Sequence, residues 1–484
     1  MVEYYDLVVI GAGPAGEKGA AQAAYFGKRA CIIERAPKPG GAAVNTGTIP
    51  SKTLRETALY FSGLRQRGLY GVDYTVKRDI TVSDFMFRER SVIDSEWKLI
   101  DENLKRHEIA QIQGTARFLD PQTVEVRRAG ATTRVITGQF FLIATGSQPQ
   151  RPEGIAVDGR VIFDSDTLLT LDRIPSSMLV VGGGVIGCEY ACTFAALGVR
   201  VTVVTNRRRL LAHLDSEVGD ALRQQMTSRL GISVHLDTEV SKIAVEHERG
   251  VVTVGEQELS ADCVLFCAGR TGSTAGLGLP SIGVRTNARG FVLVDEHYQT
   301  ATPGIYAAGD VIGFPALAST SMEQARVAMC HAFELKYKQS VAGVIPYGVY
   351  TIPEIATVGL SEEELVSRDI DFECGRASYR TNARGQIIGD LDGFVKLLFR
   401  PDNQQLLGCS IVGEGASELI HVAMACLSFE GSIDFFIQSV FNYPSLADAY
   451  KYAAYDGLQA LARRHARRTG LPSSTTDRPI PLSG

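Results

Sequence analysis

Leu7-Val8-Val9-Ile10-Gly11-Ala12-Gly13-Pro14-Ala15-Gly16 sets a pattern that the chain repeats at Met178-Leu179-Val180-Val181-Gly182-Gly183-Gly184-Val185-Ile186-Gly187. In each copy a short apolar run of strand type enters a glycine-rich turn. A helical stretch follows, to Gly27 in the first copy and Gly198 in the second. A second strand comes next, Ala30–Ile33 ending at Glu34 and Val201–Val204 ending at Thr205. Sixteen positions separate Gly11 from Gly27 and Gly182 from Gly198, and twenty-three separate Gly11 from Glu34 and Gly182 from Thr205. One glycine-rich turn is weak evidence. Two in the same strand–turn–helix–strand register predict a duplicated dinucleotide-binding unit and an α/β fold.

The spacing has a physical reason. Gly11 and Gly182 make the tight turn, Gly13 and Gly184 let the backbone approach a pyrophosphate, and Gly16 and Gly187 let the helix pack closely on its strand. Ala15, Val185 and Ile186 fall in the first helical turn, whose N–H groups face the phosphates. The residue ending the second strand selects the nucleotide. Glu34, with Arg35 beside it, suits a ribose 2′-hydroxyl and would repel a 2′-phosphate. Thr205 is neutral and leads into Asn206-Arg207-Arg208-Arg209, whose guanidinium groups can hold a 2′-phosphate, although any single one of them fits a solvated loop equally well. The second site is expected to accept NADP without excluding NAD.

With 484 residues the chain has room for about three domains. Its 45% hydrophobic and 21% charged residues are those of a folded chain, not a disordered one. No apolar run approaches the roughly eighteen residues of a membrane helix. A net charge of −5, from 49 basic and 54 acidic residues, leaves no footprint for nucleic acid. Nine cysteines without a CxxC or a His/Cys cluster predict no metal and a reduced, cytoplasmic protein. Met1 to Asp6 leads straight into the first strand, with no basic leader.

Outside the repeat, Gly40-Gly41-Ala42-Ala43-Val44-Asn45-Thr46-Gly47-Thr48-Ile49-Pro50-Ser51-Lys52 resembles the active-site segment of the pyridine nucleotide–disulfide oxidoreductases. Ala144-Thr145-Gly146 is similar to the strand by which their chain leaves the FAD domain, and Ile305-Tyr306-Ala307-Ala308-Gly309-Asp310 to their second FAD motif. Tyr350-Thr351-Ile352-Pro353-Glu354-Ile355-Ala356-Thr357-Val358-Gly359 is similar to the start of their dimerisation domain. The resemblance runs in order from residue 3 to about residue 460. It implies two Rossmann-like domains, one for FAD (residues 1–148 and 275–345) and one for NAD(P) (149–274). A C-terminal α+β dimerisation domain (346–462) follows, hence a homodimer, with a higher oligomer left open. Gly41, Thr48, Ala144, Thr145, Gly146, Gly309 and Asp310 are then expected around a non-covalent FAD, and Gly269 and Arg270 near the nicotinamide nucleotide. Lys52 and Glu189 occupy positions that pair near flavin N5 in the family.

The departures carry the functional expectation. Disulfide-reducing members have cysteines where this chain has Ala43 and Thr48, and neither residue can form a disulfide or a thiolate. Their His before a proline and the Glu five residues beyond it are replaced by Tyr443 and Asp448. Tyrosine is a poor proton shuttle at neutral pH, but Tyr443 is expected to approach the partner subunit's flavin. Thr48 and the run Phe441-Asn442-Tyr443-Pro444 resemble a branch that exchanges hydride between nicotinamide nucleotides, although that branch usually keeps the first cysteine. The implied activity is FAD-dependent, ping-pong hydride transfer from NADPH to NAD⁺ at one nicotinamide site. The alternatives are an NAD(P)H:quinone or dye oxidoreductase, and a flavin-bound redox sensor whose catalysis has decayed.

Other signals read as structural. Cys188 and Cys192 share a helix face as small packing residues, and Trp97 sits in a helical region. Residues 463–484, opening with Arg463, Arg464, Arg467 and Arg468 and then rich in Pro, Ser and Thr, are expected to form a disordered tail.

Overall fold

The computed structural model describes residues 3–63, 81–152 and 154–469. Contacts group them into two compact units, with residues 3–62, 81–206 and 232–342 in the first and 207–231 and 343–469 in the second.

The first unit opens with β1 (Glu3–Ile10), α1 (Pro14–Tyr25), β2 (Ala30–Glu34), α2 (Gly41–Asn45), α3 (Thr48–Ser62) and α4 (Val82–Arg106). Four strands follow: β3 (Ala110–Gln113), β4 (Thr115–Asp120), β5 (Thr123–Arg127) and β6 (Arg134–Ile143). Their sheet has the order β3-β2-β1-β6-β5-β4, and Ile305–Ala307 also pairs with β6. The β3-β2-β1-β6 part is parallel, while β5 and β4 continue antiparallel. β1 starts earlier than its apolar run because Glu3, Tyr4 and Tyr5 pair with Ile136, Thr137 and Gly138 of β6. Strand alternation sends Leu7 and Val9 into a core with α1 and α4 residues such as Ala20, Ala23, Ile93 and Leu104. Val8 and Ile10 enter the opposite core, with Phe118 and Phe141.

The second copy of the repeat is built alike. After β7 (Ser147–Pro149) and β8 (Ile162–Phe163) come β9 (Ser177–Val181), α5 (Val185–Ala196) and β10 (Arg200–Val204), with β11 at Ser233–His235. The order β11-β10-β9 continues through Cys263–Phe266 to β8, parallel throughout. Such a sheet is covered on both faces, which is why β9 is buried along its length. Helix α4 packs on α5 through an edge-to-face pair, Phe85 with Phe194, at 6.1 Å between centroids.

The second unit has a five-stranded sheet in the order Tyr347–Val349, Ile355–Gly359, Leu406–Val412, Phe394–Phe399, Glu373–Ser378, antiparallel throughout. Helices Ala416–Ser428 and Ala449–Thr469 complete its core, where the Phe436 and Tyr450 rings stack at 5.0 Å. Helix α6 (Ser216–Ser228), expected with the nicotinamide domain, groups with this sheet. The cause is a buried charge cluster. Lys396 is 1% exposed, and its Nζ lies 2.9 Å from Asp215, 2.9 Å from Glu217 and 2.8 Å from Glu362. Burial alone would lower the lysine's pKa, but the bonds to Asp215, Glu362 and Glu217 outweigh it and hold the group charged. The expected tail starts late: residues 463–469 continue the last helix, where Arg464 bonds Asp371 and Glu373 (2.5 and 3.0 Å). Residues 470–484 lie outside the described residues.

Removing the ammonium strands the buried Asp215 carboxylate, while Glu217 and Glu362, about a third exposed, keep Arg376. Lys396→Met should lower unfolding free energy by about 3–5 kcal/mol in a denaturant titration. A loss under about 1 kcal/mol would show that the cluster does not hold the unit together.

Candidate active site

Two glycine turns shape the site. Gly11 (φ +105°) and Gly182 (φ +133°) occupy backbone conformations that L side chains rarely adopt. A Cβ on Gly11 would collide with the Ala144 carbonyl oxygen, and one on Gly182 would lie 2.8 Å from the Cys267 carbonyl oxygen. Gly16 and Gly187 meet the carbonyl oxygens of Gly11 and Gly182 in the same way, so each helix sits directly on its own turn. Helices α1 and α5 begin at Gly13 and Gly184 with no side-chain cap, whereas α4 carries a full capping box from Thr81 and Asp84. Uncapped first-turn N–H groups, led by those of Ala15, Val185 and Ile186, are what a pyrophosphate binds.

Around the first turn the residues fit FAD. Glu34 accepts from Ala12 N at 2.7 Å and Ala36 N at 2.8 Å, which ties the end of β2 to the turn. A carboxylate has further lone pairs that can receive ribose hydroxyls. Arg35 is exposed beside it. Gly41 packs against Gly13 so closely that its Cβ would lie 2.8 Å from Gly13 Cα. Thr145 has a buried hydroxyl with no partner among the described residues, an acceptor and donor left for a ligand. It stands between Ala144, whose N–H bonds Ile10 O at 2.8 Å, and Gly146, whose carbonyl takes Ser273 N at 2.9 Å. Gly309 donates its N–H to Gln324 Oε1 at 2.9 Å and presents Asp310, which accepts from Ser147 Oγ at 3.1 Å.

Lys52 and Glu189, the two residues expected beside the flavin, meet. Lys52 on α3 and Glu189 on α5, 137 positions apart in sequence, form an ion pair at 2.7 Å. The Glu189 side chain is 6% exposed and that of Lys52 is 27% exposed. Helix α3 begins at Thr48, which is exposed, and Ala43 lies within α2. None of the nine cysteines is in a disulfide, and burial pushes the thiols of Cys31, Cys263 and Cys267 up to about 12. Those thiols are poor sources of thiolate.

At the end of β10, Thr205 is buried, with its N–H on His235 O at 3.0 Å, while Asn206, Arg207 and Arg208 are exposed. Arg209 instead bonds Glu363 at 2.9 Å. Gly269 O accepts from Gln150 N at 3.0 Å. Arg270 grips Ser147, through Nε to the hydroxyl and Nη2 to the carbonyl at 2.8 Å each, and also bonds Ser165 at 3.1 Å. Ser147 thereby links Arg270 to Asp310. The sequence reading missed Ser147 and Gln324, and only the adjacency of Ser147 to Ala144-Thr145-Gly146 could have suggested the former. Tyr443 belongs to the second unit, where it is 76% exposed. Among the described residues no helix is long and apolar enough to cross a membrane, and no group of three or more His, Cys, Asp or Glu is arranged to hold a metal.

Comparison with known proteins agrees with this geometry. Residues 5–332 match the pyridine nucleotide-disulphide oxidoreductases, and residues 345–454 match the dimerisation domain of the same group. A soluble pyridine nucleotide transhydrogenase of Mycobacterium tuberculosis is 44% identical over 93% of this chain and 97% of its own length. One from Hahella chejuensis is 38% identical over 95% of this chain and 100% of its own. Among solved structures, LpdA from Mycobacterium tuberculosis superposes with a TM-score of 0.86 at 27% identity, covering 94% of this chain and 99% of that one. The HOCl-induced flavoprotein disulfide reductase RclA from Escherichia coli, as its Cu(II) complex, gives 0.85 at 25% identity, with the same coverage. On the match to residues 5–332 and the 44% identity along most of its length, the chain belongs to the pyridine nucleotide-disulphide oxidoreductase family.

Proposed function

We propose that the chain transfers hydride between NADPH and NAD⁺ through FAD. The observation that carries this reading is the Lys52–Glu189 pair at 2.7 Å in a site with Ala43 and Thr48 where disulfide chemistry needs cysteines. The relatives named soluble pyridine nucleotide transhydrogenase support it. Residues 1–148 with 275–345 hold FAD in this reading, residues 149–274 the nicotinamide nucleotide, and residues 346–462 the dimer contact.

Bound FAD supplies a ring that accepts hydride from one nicotinamide and returns it to another. The chain's own part is to bind, orient and neutralise. The first glycine turn, with Gly41 and Thr145, would hold the flavin nucleotide, and Asp310 would take its ribityl chain. The second turn, at Gly184, receives the nicotinamide nucleotide. Lys52 and Glu189 pair at 2.7 Å, so α3 and α5 present opposite charges that offset each other. Such a site works by positioning, where a misplacement of about 1 Å can cost about 100-fold. Exposed Asn206, Arg207 and Arg208 can meet a 2′-phosphate without requiring one.

The first test is anaerobic. Protein reduced with stoichiometric NADPH should regain its oxidised flavin spectrum on adding NAD⁺ and form NADH, with Lys52→Met slower by about 100-fold or more. Flavin that stays reduced until a quinone is added would make the protein a quinone reductase. Replacing Arg207 and Arg208 by alanine should raise KM for NADPH about tenfold or more and leave that for NADH unchanged, since a bond to a charged group is worth about 1.5–3 kcal/mol. Equal effects on both nucleotides would remove these arginines from the specificity reading. We further propose that Tyr443 reaches the partner's flavin in a homodimer. Sedimentation should find a dimer whose activity falls on dilution, and a fully active monomer would refute that placement.

A further inference from the structure

The FAD cradle has two walls, and only one of them is the glycine turn. The other is the stretch from Lys38 to Asn45. Gly40 donates its N–H to Ala12 O at 2.7 Å, and Gly41 rests on Gly13. With alanine at 43 and threonine at 48, no disulfide joins α2 to α3, so weaker bonds must hold this wall in place.

Those bonds converge on one residue. Asn45 folds its side chain back along the wall, its Nδ2 donating to Pro39 O at 3.0 Å and to Gly41 O at 2.9 Å. Its remaining polar atom, Oδ1, accepts from Trp97 Nε1 on α4 at 2.9 Å. The Lys38 ammonium stands 5.0 Å over the face of the same indole. Trp97 therefore touches both ends of the wall, by its N–H at Asn45 and by its ring at Lys38. Helix α4 also reaches the opposite wall, because Asn103 Nδ2 donates to Glu17 Oε1 on α1 at 2.6 Å.

We propose that Trp97 is a positioning residue for FAD, holding the Lys38–Asn45 wall at the distance from the Gly13 turn that a pyrophosphate needs. This rests on the assignment of FAD to the first glycine turn. Its function is to keep the wall formed, so its loss acts on the rate at which FAD leaves and not on hydride transfer in protein kept saturated with FAD.

The test dilutes holoprotein and follows the recovery of free-flavin fluorescence, with thermal unfolding recorded in parallel. Trp97→Phe removes the N–H donor and keeps an aromatic face for Lys38. Phe85→Leu, on the same helix but packed on α5, is the control for general destabilisation. FAD should leave Trp97→Phe about five- to tenfold faster than wild type, as the loss of one hydrogen bond implies. Phe85→Leu should release FAD at the wild-type rate even where its Tm falls further. Release from Trp97→Phe at the wild-type rate overturns the proposal. So does a Phe85→Leu release rate that rises with lost Tm as steeply as that of Trp97→Phe. A wild-type chain that binds no FAD at all would instead overturn the assignment of the first glycine turn.

Discussion

Both glycine turns of the first unit depend on four places where a methyl group does not fit. Gly11 and Gly182 lie against the carbonyls of Ala144 and Cys267, each at the end of a neighbouring strand, and Gly16 and Gly187 lie against their own turns. Because the backbones touch, each helix begins at the edge of its sheet with its first N–H groups clear of side chains. Dispersion and strand pairing hold the sheets, but this steric constraint decides where charge can bind. It also explains why the duplicated spacing is kept to the residue. Inserting one position between Gly11 and Gly16 would rotate the helix by about 100° and carry the third glycine away from the turn.

What the sequence could reveal follows from this. Glycine spacing and apolar runs are local signals, so both glycine-turn units and most of their strands were legible, whereas Lys52 and Glu189 were marked only by the resemblance of their segments to the family. β9 and β10 came out within one residue of their actual bounds because burial on both faces gives an unbroken apolar run. The start of β1 was not legible, since Glu3, Tyr4 and Tyr5 become strand only by pairing with β6. Contacts made by polar side chains far apart in sequence were equally silent. Ser147 bridging Arg270 and Asp310, Asn45 meeting Trp97, and Lys396 collecting Asp215, Glu217 and Glu362 leave no periodic trace. The same holds for the last helix, whose turn at 463–469 reads as a basic tail until Arg464 finds Asp371 and Glu373.

The chemistry is narrowed by what burial does to sulfur. In a family built around a redox disulfide, this chain has Ala43 and Thr48 at the pair and sets several remaining thiols where desolvation raises them to about 12. A thiol held neutral does not attack a disulfide and does not donate charge to a flavin. In the proposed reading the Lys52–Glu189 ion pair is what persists of the electron path, and its two charges offset each other.

If the Lys52–Glu189 ion pair stands beside the reacting rings, as proposed, it has a consequence for the substrates. The oxidised and reduced nicotinamide rings differ by one positive charge, so a site with a strong net field would favour one ring over the other by the Coulomb energy of that difference. At about 4 Å and an effective dielectric constant near 20, one uncompensated charge would contribute about 4 kcal/mol, or nearly a thousandfold in affinity. An enzyme that must take in NADPH and NAD⁺ in turn, and release NADP⁺ and NADH, cannot tolerate that bias at its reacting centre. In the proposed reading, pairing Lys52 with Glu189 offsets it there, and the arginines after Thr205 are where the 2′-phosphate would be told apart.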